Sequence, residues 1–373
     1  MDAVFNVQQR LPVAAYDGQD AIFAIPFEIL REAIAENVFP SAAVAVLWRE
    51  KLVALKAFGR FTYEPSSPEV TTATPFDLAS VTKVVATATM AMILYERGLL
   101  DLEAPVVAIA PEFSGSDSRR KHVTVRMLLT HSSGLPAYEK LYQRASCKDE
   151  LLSLAFTTNL TADPGARAEY SDIGFIILGS LLERIADESL DRFCQREIFG
   201  VLGMVHTMFN PPFAVRGVIP PTVDDFTFRH RVIQGEVQDE NASVLGGVAG
   251  HAGVFSSATD MAIFAGALSK GYPVRAETLE IFTRRETSPQ GTSRALGWDT
   301  PSSPSQSGKY FSPRSYGHLG YTGTSLWIDP DRQLSVVLLT NRTWPDCRNQ
   351  TIKTIRPAFH DTVIESLGLE ATA

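Results

Sequence analysis

Along residues 26–39 apolar side chains recur every three or four positions, the period of an amphipathic helix. Two short apolar runs follow, 42–48 and 52–58, separated by Arg49-Glu50-Lys51, which is the pattern of a strand hairpin. From Ser80 to about Leu202 the pattern turns helical, with proline- and glycine-bearing loops between the segments. Those segments are an alanine-rich run from Ser80 to Tyr95, closed by Glu96-Arg97-Gly98, then 123–130, 148–156, 173–186 and 190–202. A looser Pro-rich stretch (210–239) and a glycine-dense stretch (245–253) come next. Residues 259–269 and 276–284 read as helices, 302–315 as a loop rich in serine and proline. Residues 324–328 and 334–339 read as strands turned at Asp329-Pro330-Asp331-Arg332, and 349–367 as a last helix. Both ends therefore supply a helix and a hairpin. The pattern predicts an α/β (α+β) fold: one antiparallel sheet flanked by helices and built from residues 20–75 and 255–370, with a helical domain over 76–254 inserted.

Composition narrows the function classes. The chain has 373 residues, 45% of them hydrophobic and 20% charged, which is ordinary globular usage. Its 34 basic and 42 acidic residues leave a net charge of −8, and the longest basic run is Arg119-Arg120-Lys121, so nucleic acid and anionic membrane are poor partners. The longest apolar runs, 84–95 and 173–182, fall short of the roughly 18 residues that a membrane span requires. Residues 1–30 contain no basic segment leading into an apolar one. As written the chain reads as cytoplasmic, or as periplasmic or extracellular if a leader has been removed. Three cysteines, Cys147, Cys194 and Cys347, are odd in number and far apart, so neither a disulfide framework nor a metal cluster is expected. They read as free, mostly buried thiols.

The most informative segment is Ser80-Val81-Thr82-Lys83. Residues three apart on a helix are neighbours, so the Lys83 amine can reach the Ser80 hydroxyl and help remove its proton. A first-turn position also offers free N–H groups and the positive helix end to developing negative charge. A second such spacing, Ser118-Arg119-Arg120-Lys121, lies in a charged stretch with no apolar helix after it and reads as a solvated loop. Tyr170-Ser171-Asp172 lies between the Asp163-Pro164-Gly165 turn and an apolar helix, where a phenol lowered in pKa by Lys83 could serve as general base. Gly317-His318-Leu319-Gly320-Tyr321-Thr322-Gly323 precedes a strand, and its glycines let backbone approach a ligand closely. His131 is explained by its place at a helix end, while His251 and Trp298 are candidates for the border of a cleft.

Ser-x-x-Lys, then Tyr-x-Asp about ninety residues later, then His-x-Gly before a C-terminal hairpin, resemble the serine β-lactamase and penicillin-binding protein superfamily. The branch is that of class C β-lactamases, which also holds esterases, D-peptidases and peptidoglycan amidases. The surrounding Phe76–Lys83, Val125–Pro136, Gly246–Ser256 and His318–Pro330 resemble it too. The resemblance implies a cleft between the sheet and the helical domain, and a cofactor-free acyl-enzyme cycle with no metal. Ser80 would attack an ester or amide carbonyl, Lys83 and Tyr170 would handle its proton, and the Ser80 and Tyr321 N–H groups would hold the oxyanion. Asp172, His318 and Gly320 would meet the substrate. Two departures stand out: Asp172 replaces an asparagine and His318 a lysine, so that a permanent cation for a substrate carboxylate is missing. Reading Ser171 as the base, in the manner of class A enzymes, is the alternative register, but no Glu is followed four residues later by Asn. The expected function is a serine hydrolase acting on small esters or peptidoglycan-type amides. The alternatives are a true β-lactamase or D-Ala-D-Ala carboxypeptidase, and a weakly catalytic protein that binds muropeptides or β-lactams.

Overall fold

The computed structural model describes residues 16–370; residues 1–15, half of the stretch inspected for an export signal, lie outside the described part, as do 371–373. Strands β1 (Ser41–Trp48) and β2 (Lys51–Gly59) form the amino-terminal hairpin. Arg49 and Glu50 turn it with φ of 51° and 63°, the left-handed pair whose twist matches that of the flanking strands. The other chain end supplies β3 (Tyr316–Leu319), β4 (Ser325–Asp329) and β5 (Leu334–Thr340). The five strands run in the order β2-β1-β5-β4-β3, every neighbouring pair antiparallel. β1 and β5 join the two ends, from Ala42 opposite Thr340 to Trp48 opposite Leu334.

Alternation along β1 explains why the sheet needs cover on both sides. Ala42, Val44 and Val46 belong to one core with Phe27 and Leu30 of the helix Ala24–Ala35, and with Phe359 and Val363 of the helix Ile352–Ser366. Ala43, Ala45 and Leu47 belong to a second, larger core with Met261 and Phe264 of the helix Ala258–Ser269 and with the helices of the middle region. Each fully buried Val, Leu or Phe in such a core contributes about 1.5–3 kcal/mol.

Several elements differ from the sequence pattern. The run after Ser80 is no uniform α-helix: Ala79–Val81 is a tight 3₁₀ turn, Lys83–Ala88 is wound in the wider i→i+5 manner, and only Thr89–Glu96 is α-helical. Within it the Thr89 hydroxyl donates to the Val84 carbonyl at 2.7 Å. The same apolar residues suit all three windings, so composition carried no signal of the change. Gly317 and His318 stand inside the edge strand β3 rather than ahead of a strand. The Pro-rich stretch contains a hairpin of Pro221–Asp225 with Arg231–Gln234. Phe76–Asp77, Val254–Ser256 and Met208–Phe209 form a three-stranded ribbon whose members are too short to show a period. Of the cysteines only Cys194 is buried; Cys147 is exposed and Cys347 intermediate, because neither lies on an apolar face. Among the described residues no helix is long and apolar enough to cross a membrane.

Candidate active site

Ser80 sits in the 3₁₀ turn that leaves the short strand Phe76–Asp77. Ala79 just before it adopts φ 47°, a conformation that costs an alanine free energy and persists only where surroundings impose it. The constraint is Asp77, whose carboxylate accepts the Ala79 N–H and the Gln238 N–H, each at 2.8 Å. Burial raises the Asp77 carboxyl to about 6, the two N–H bonds pulling the other way.

Lys83 is fully buried, and its Nζ donates to Ser80 Oγ at 3.0 Å, to Asp172 Oδ1 at 2.6 Å and to the His251 carbonyl at 3.1 Å. Burial holds its pKa below the ordinary lysine value, and the Asp172 charge offsets part of that. Asp172 is the first residue of the helix Asp172–Ala186. The His251 carbonyl arrives through the glycine-dense segment. Gly250 lies against that same helix, where a Cβ would come within 2.9 Å of Gly179 Cα, and its carbonyl accepts from Thr87.

Tyr170 donates its phenol hydrogen to Ser80 Oγ at 2.8 Å. The sequence reading gave Tyr170 a pKa lowered by Lys83; the structure reverses it. Desolvation, and after it the Asp172 charge, push the phenol well above its ordinary value, so Tyr170 rests as a neutral donor. Its ring lies 4.6 Å from that of His131, 4.8 Å from Lys83 Nζ and 5.3 Å from the Arg294 guanidinium, which is ion-paired with Asp299. His131 has φ 57°, accepts the Ser171 N–H at Nδ1 and the Glu169 N–H at its carbonyl, and so fixes the loop that carries Tyr170. A helix-end role alone understates it. Neither His131 nor Arg294 carried a sequence signal for this contact, because their partners lie far away in the chain. Ser171 points elsewhere: its hydroxyl accepts the Gly174 N–H and donates to the Pro136 carbonyl, which leaves the alternative register without geometry.

The third segment docks on the first. Thr322 Oγ1 donates to the Asp77 carbonyl at 2.7 Å and Thr324 Oγ1 to the Leu78 carbonyl at 2.9 Å. Gly320 lies so close to Leu78 and Thr324 that a Cβ would collide with both. This brings Tyr321, whose N–H makes no hydrogen bond among the described residues, to the same cleft as Ser80. His318 is buried, its Nδ1 bonded to the Leu319 carbonyl at 2.8 Å. Burial, then Lys83, depress its pKa well below the usual histidine range, so it stays neutral near pH 7.

The cleft has a volume of about 910 Å³, and Ser80, Tyr170, Asp172, His251, His318, Gly320 and Tyr321 all line it. The His251 ring bonds Asp239 through Nε2 at 2.8 Å. Trp298 is not a cleft residue. It is 1% exposed and packs edge-on against Tyr316 at 5.1 Å, so the expectation of a cleft wall fails and only its neighbour Asp299 reaches the cavity. The second serine-to-lysine spacing forms a 3₁₀ turn in which Arg120 is buried against the carbonyls of Phe113 and Phe156. It lines no part of this cleft.

The arrangement can support transfer of an acyl group to a serine. A hydroxyl is held between a buried amine and a neutral phenol, in a cleft that Tyr321 also lines. Comparison with known proteins agrees. The family described as Beta-lactamase matches residues 28–357. The chain is 30% identical over 343 residues to a putative D-alanyl-D-alanine carboxypeptidase of Escherichia coli, covering 82% of this chain and 79% of the relative. It is 32% identical over 344 residues to an N-acetylmuramyl-L-alanine amidase of Bacillus subtilis, covering 82% and 77%. The crystal structure of a β-lactamase from Mycobacterium bovis superposes with a TM-score of 0.60 at 25% identity, over 90% of this chain and 98% of that one. With the family matched across most of its length, the chain belongs to the β-lactamase family of serine hydrolases.

Proposed function

We propose that Ser80 is the acylated nucleophile, that Lys83 is the base which activates it, and that peptidoglycan-type amides are its substrates. The observation that carries the reading is the placement of Ser80 Oγ between Lys83 Nζ at 3.0 Å and Tyr170 Oη at 2.8 Å. The pKa directions divide the labour: the amine is made easier to deprotonate and the phenol harder. In acylation the neutral amine of Lys83 takes the Ser80 proton as Oγ bonds the carbonyl carbon. Asp172 and the His251 carbonyl hold the ammonium so formed. The Ser80 and Tyr321 N–H groups stabilise the oxyanion, an interaction worth about 3–4 kcal/mol per donor in comparable sites. On collapse Tyr170 gives its proton to the leaving nitrogen and is reprotonated from Lys83. Water then repeats the sequence on the acyl-enzyme and frees Ser80. The amide preference is supported by the carboxypeptidase and amidase names of the relatives. Small esters serve as assay surrogates.

Three outcomes check this. Ser80→Ala is expected to abolish ester turnover and covalent labelling by a fluorophosphonate. Labelling that persists in that variant but disappears in Ser118→Ala contradicts the assignment. In Asp172→Asn the charge that favours the ammonium is gone, so the Lys83 pKa falls and the acid limb of kcat/KM against pH moves to lower pH. An acid limb that stays or moves up refutes Lys83 as the base. The depressed pKa of His318 means that it gains no charge on mild acidification. The kcat/KM ratio for carboxylate-bearing over neutral esters is therefore expected to stay flat between about pH 5.5 and 8. A rise through the ordinary histidine range would show a His318 that becomes cationic.

A further inference from the structure

A second cavity, of about 690 Å³, opens against the sheet and shares no lining residue with the cleft that holds Ser80. Its floor is a row of side chains from four strands. Leu47 of β1 stands opposite Ser335 of β5, Ser335 opposite Ile328 of β4, and Ile328 opposite Tyr316 of β3. Residues opposite one another on antiparallel strands share a face of the sheet, and all four of these line the cavity. The helices Ala258–Ser269 and Ala276–Thr283 supply its walls, and Gly266 and Ala276 there carry too little side chain to cover the row. Tyr316 is 4% exposed, with its ring fixed against Trp298. Its hydroxyl makes no hydrogen bond among the described residues. Burial pushes the phenol well above its ordinary pKa, which keeps the hydroxyl a neutral donor.

The mouth of this cavity is basic in a chain whose net charge is −8. Lys270, Arg284, Arg285 and Arg314 line it, all of them exposed. Arg285 and Arg314 are engaged with Thr300 and Asp331. Lys270 reaches Glu50 only at 4.0 Å, and the Arg284 guanidinium makes no hydrogen bond or ion pair among the described residues. Of the carboxylates that line the cavity, Asp329 is fully buried and taken up by Ser312 and Arg332. That leaves Glu50 and Glu280 against the four cations. A neutral buried donor and an unpaired guanidinium suit an anion, and the apolar Leu47, Leu279 and Ile328 suit a hydrocarbon; water answers only the first need. We propose that this cavity binds a small amphipathic carboxylate, its hydrocarbon on the Leu47–Ile328 floor and its head shared between the Tyr316 hydroxyl and Arg284. The site is separate from the acyl-enzyme chemistry of Ser80 and does not rest on it.

The test is a calorimetric titration of the intact chain with two acids, octanoate and 4-phenylbutyrate, each beside the alcohol of the same skeleton. At least one acid is expected to bind, and about tenfold or more tightly than its alcohol, the difference between a charge-assisted and a neutral hydrogen bond. Arg284→Glu, an exposed change at the end of a helix, is expected to abolish that preference. Tyr316→Phe is expected to weaken the acid about fivefold, the loss of one hydrogen bond. Absence of binding by both acids overturns the proposal, as do equal affinities for acid and alcohol. So does an acid affinity unchanged in both variants, which would place the ligand elsewhere, as in the cleft of Ser80. If Tyr316→Phe does not fold, Arg284→Glu decides by itself. No step of the titration needs turnover, so its outcome is independent of the acyl-enzyme reading.

Discussion

The structure turns on a lysine ammonium withdrawn from water. Lys83 is fully buried, and such a charge survives only with close partners. It has three, the Ser80 hydroxyl, the Asp172 carboxylate and the His251 carbonyl, and they come from segments nearly 170 residues apart. Each partner imposes a demand on the fold. Asp172 must open a helix that packs beside the Lys83 segment, and His251 must follow a residue with no side chain, because Gly250 lies on the backbone of that helix. The wider winding over Lys83–Ala88 belongs to the same junction.

A second constraint ties the sheet to this centre. Thr322 and Thr324 hold the turn after β3 on the carbonyls of Asp77 and Leu78, just ahead of Ser80. The Tyr321 side of the cleft is thus an outgrowth of the edge strand, and the Lys83 side an outgrowth of the helices. Pairing of β1 with β5 keeps the two in one body. The site lies where these elements meet.

Much of this was legible in the chain. Helix and hairpin periods at both ends gave the sheet, since alternation and 3.6-residue spacing report directly which face is buried. The i,i+3 spacing of Ser80 and Lys83 gave a contact without tertiary information. What stayed hidden depends on partners remote in sequence. Arg294 and His131 surround Tyr170 only after folding, and nothing in the sequence marks Arg342 and Arg356 as buried. The direction of the Tyr170 pKa followed the same rule: Lys83 alone predicts a fall, whereas burial and Asp172 produce a rise. Trp298 went wrong because a tryptophan beside a loop reads alike whether it faces a cavity or a core; here it packs on Tyr316.

The central claim is that Lys83 is poised by burial to give up its proton to solvent and take one from Ser80. The most direct measurement is an NMR titration of Lys83 in protein labelled with ¹³C at lysine Cε, its resonance assigned by loss in Lys83→Arg. The account predicts a titration below the ordinary lysine value of 10.5. A resonance that titrates at or above that value would show an ammonium locked by Asp172, and would contradict Lys83 as the base.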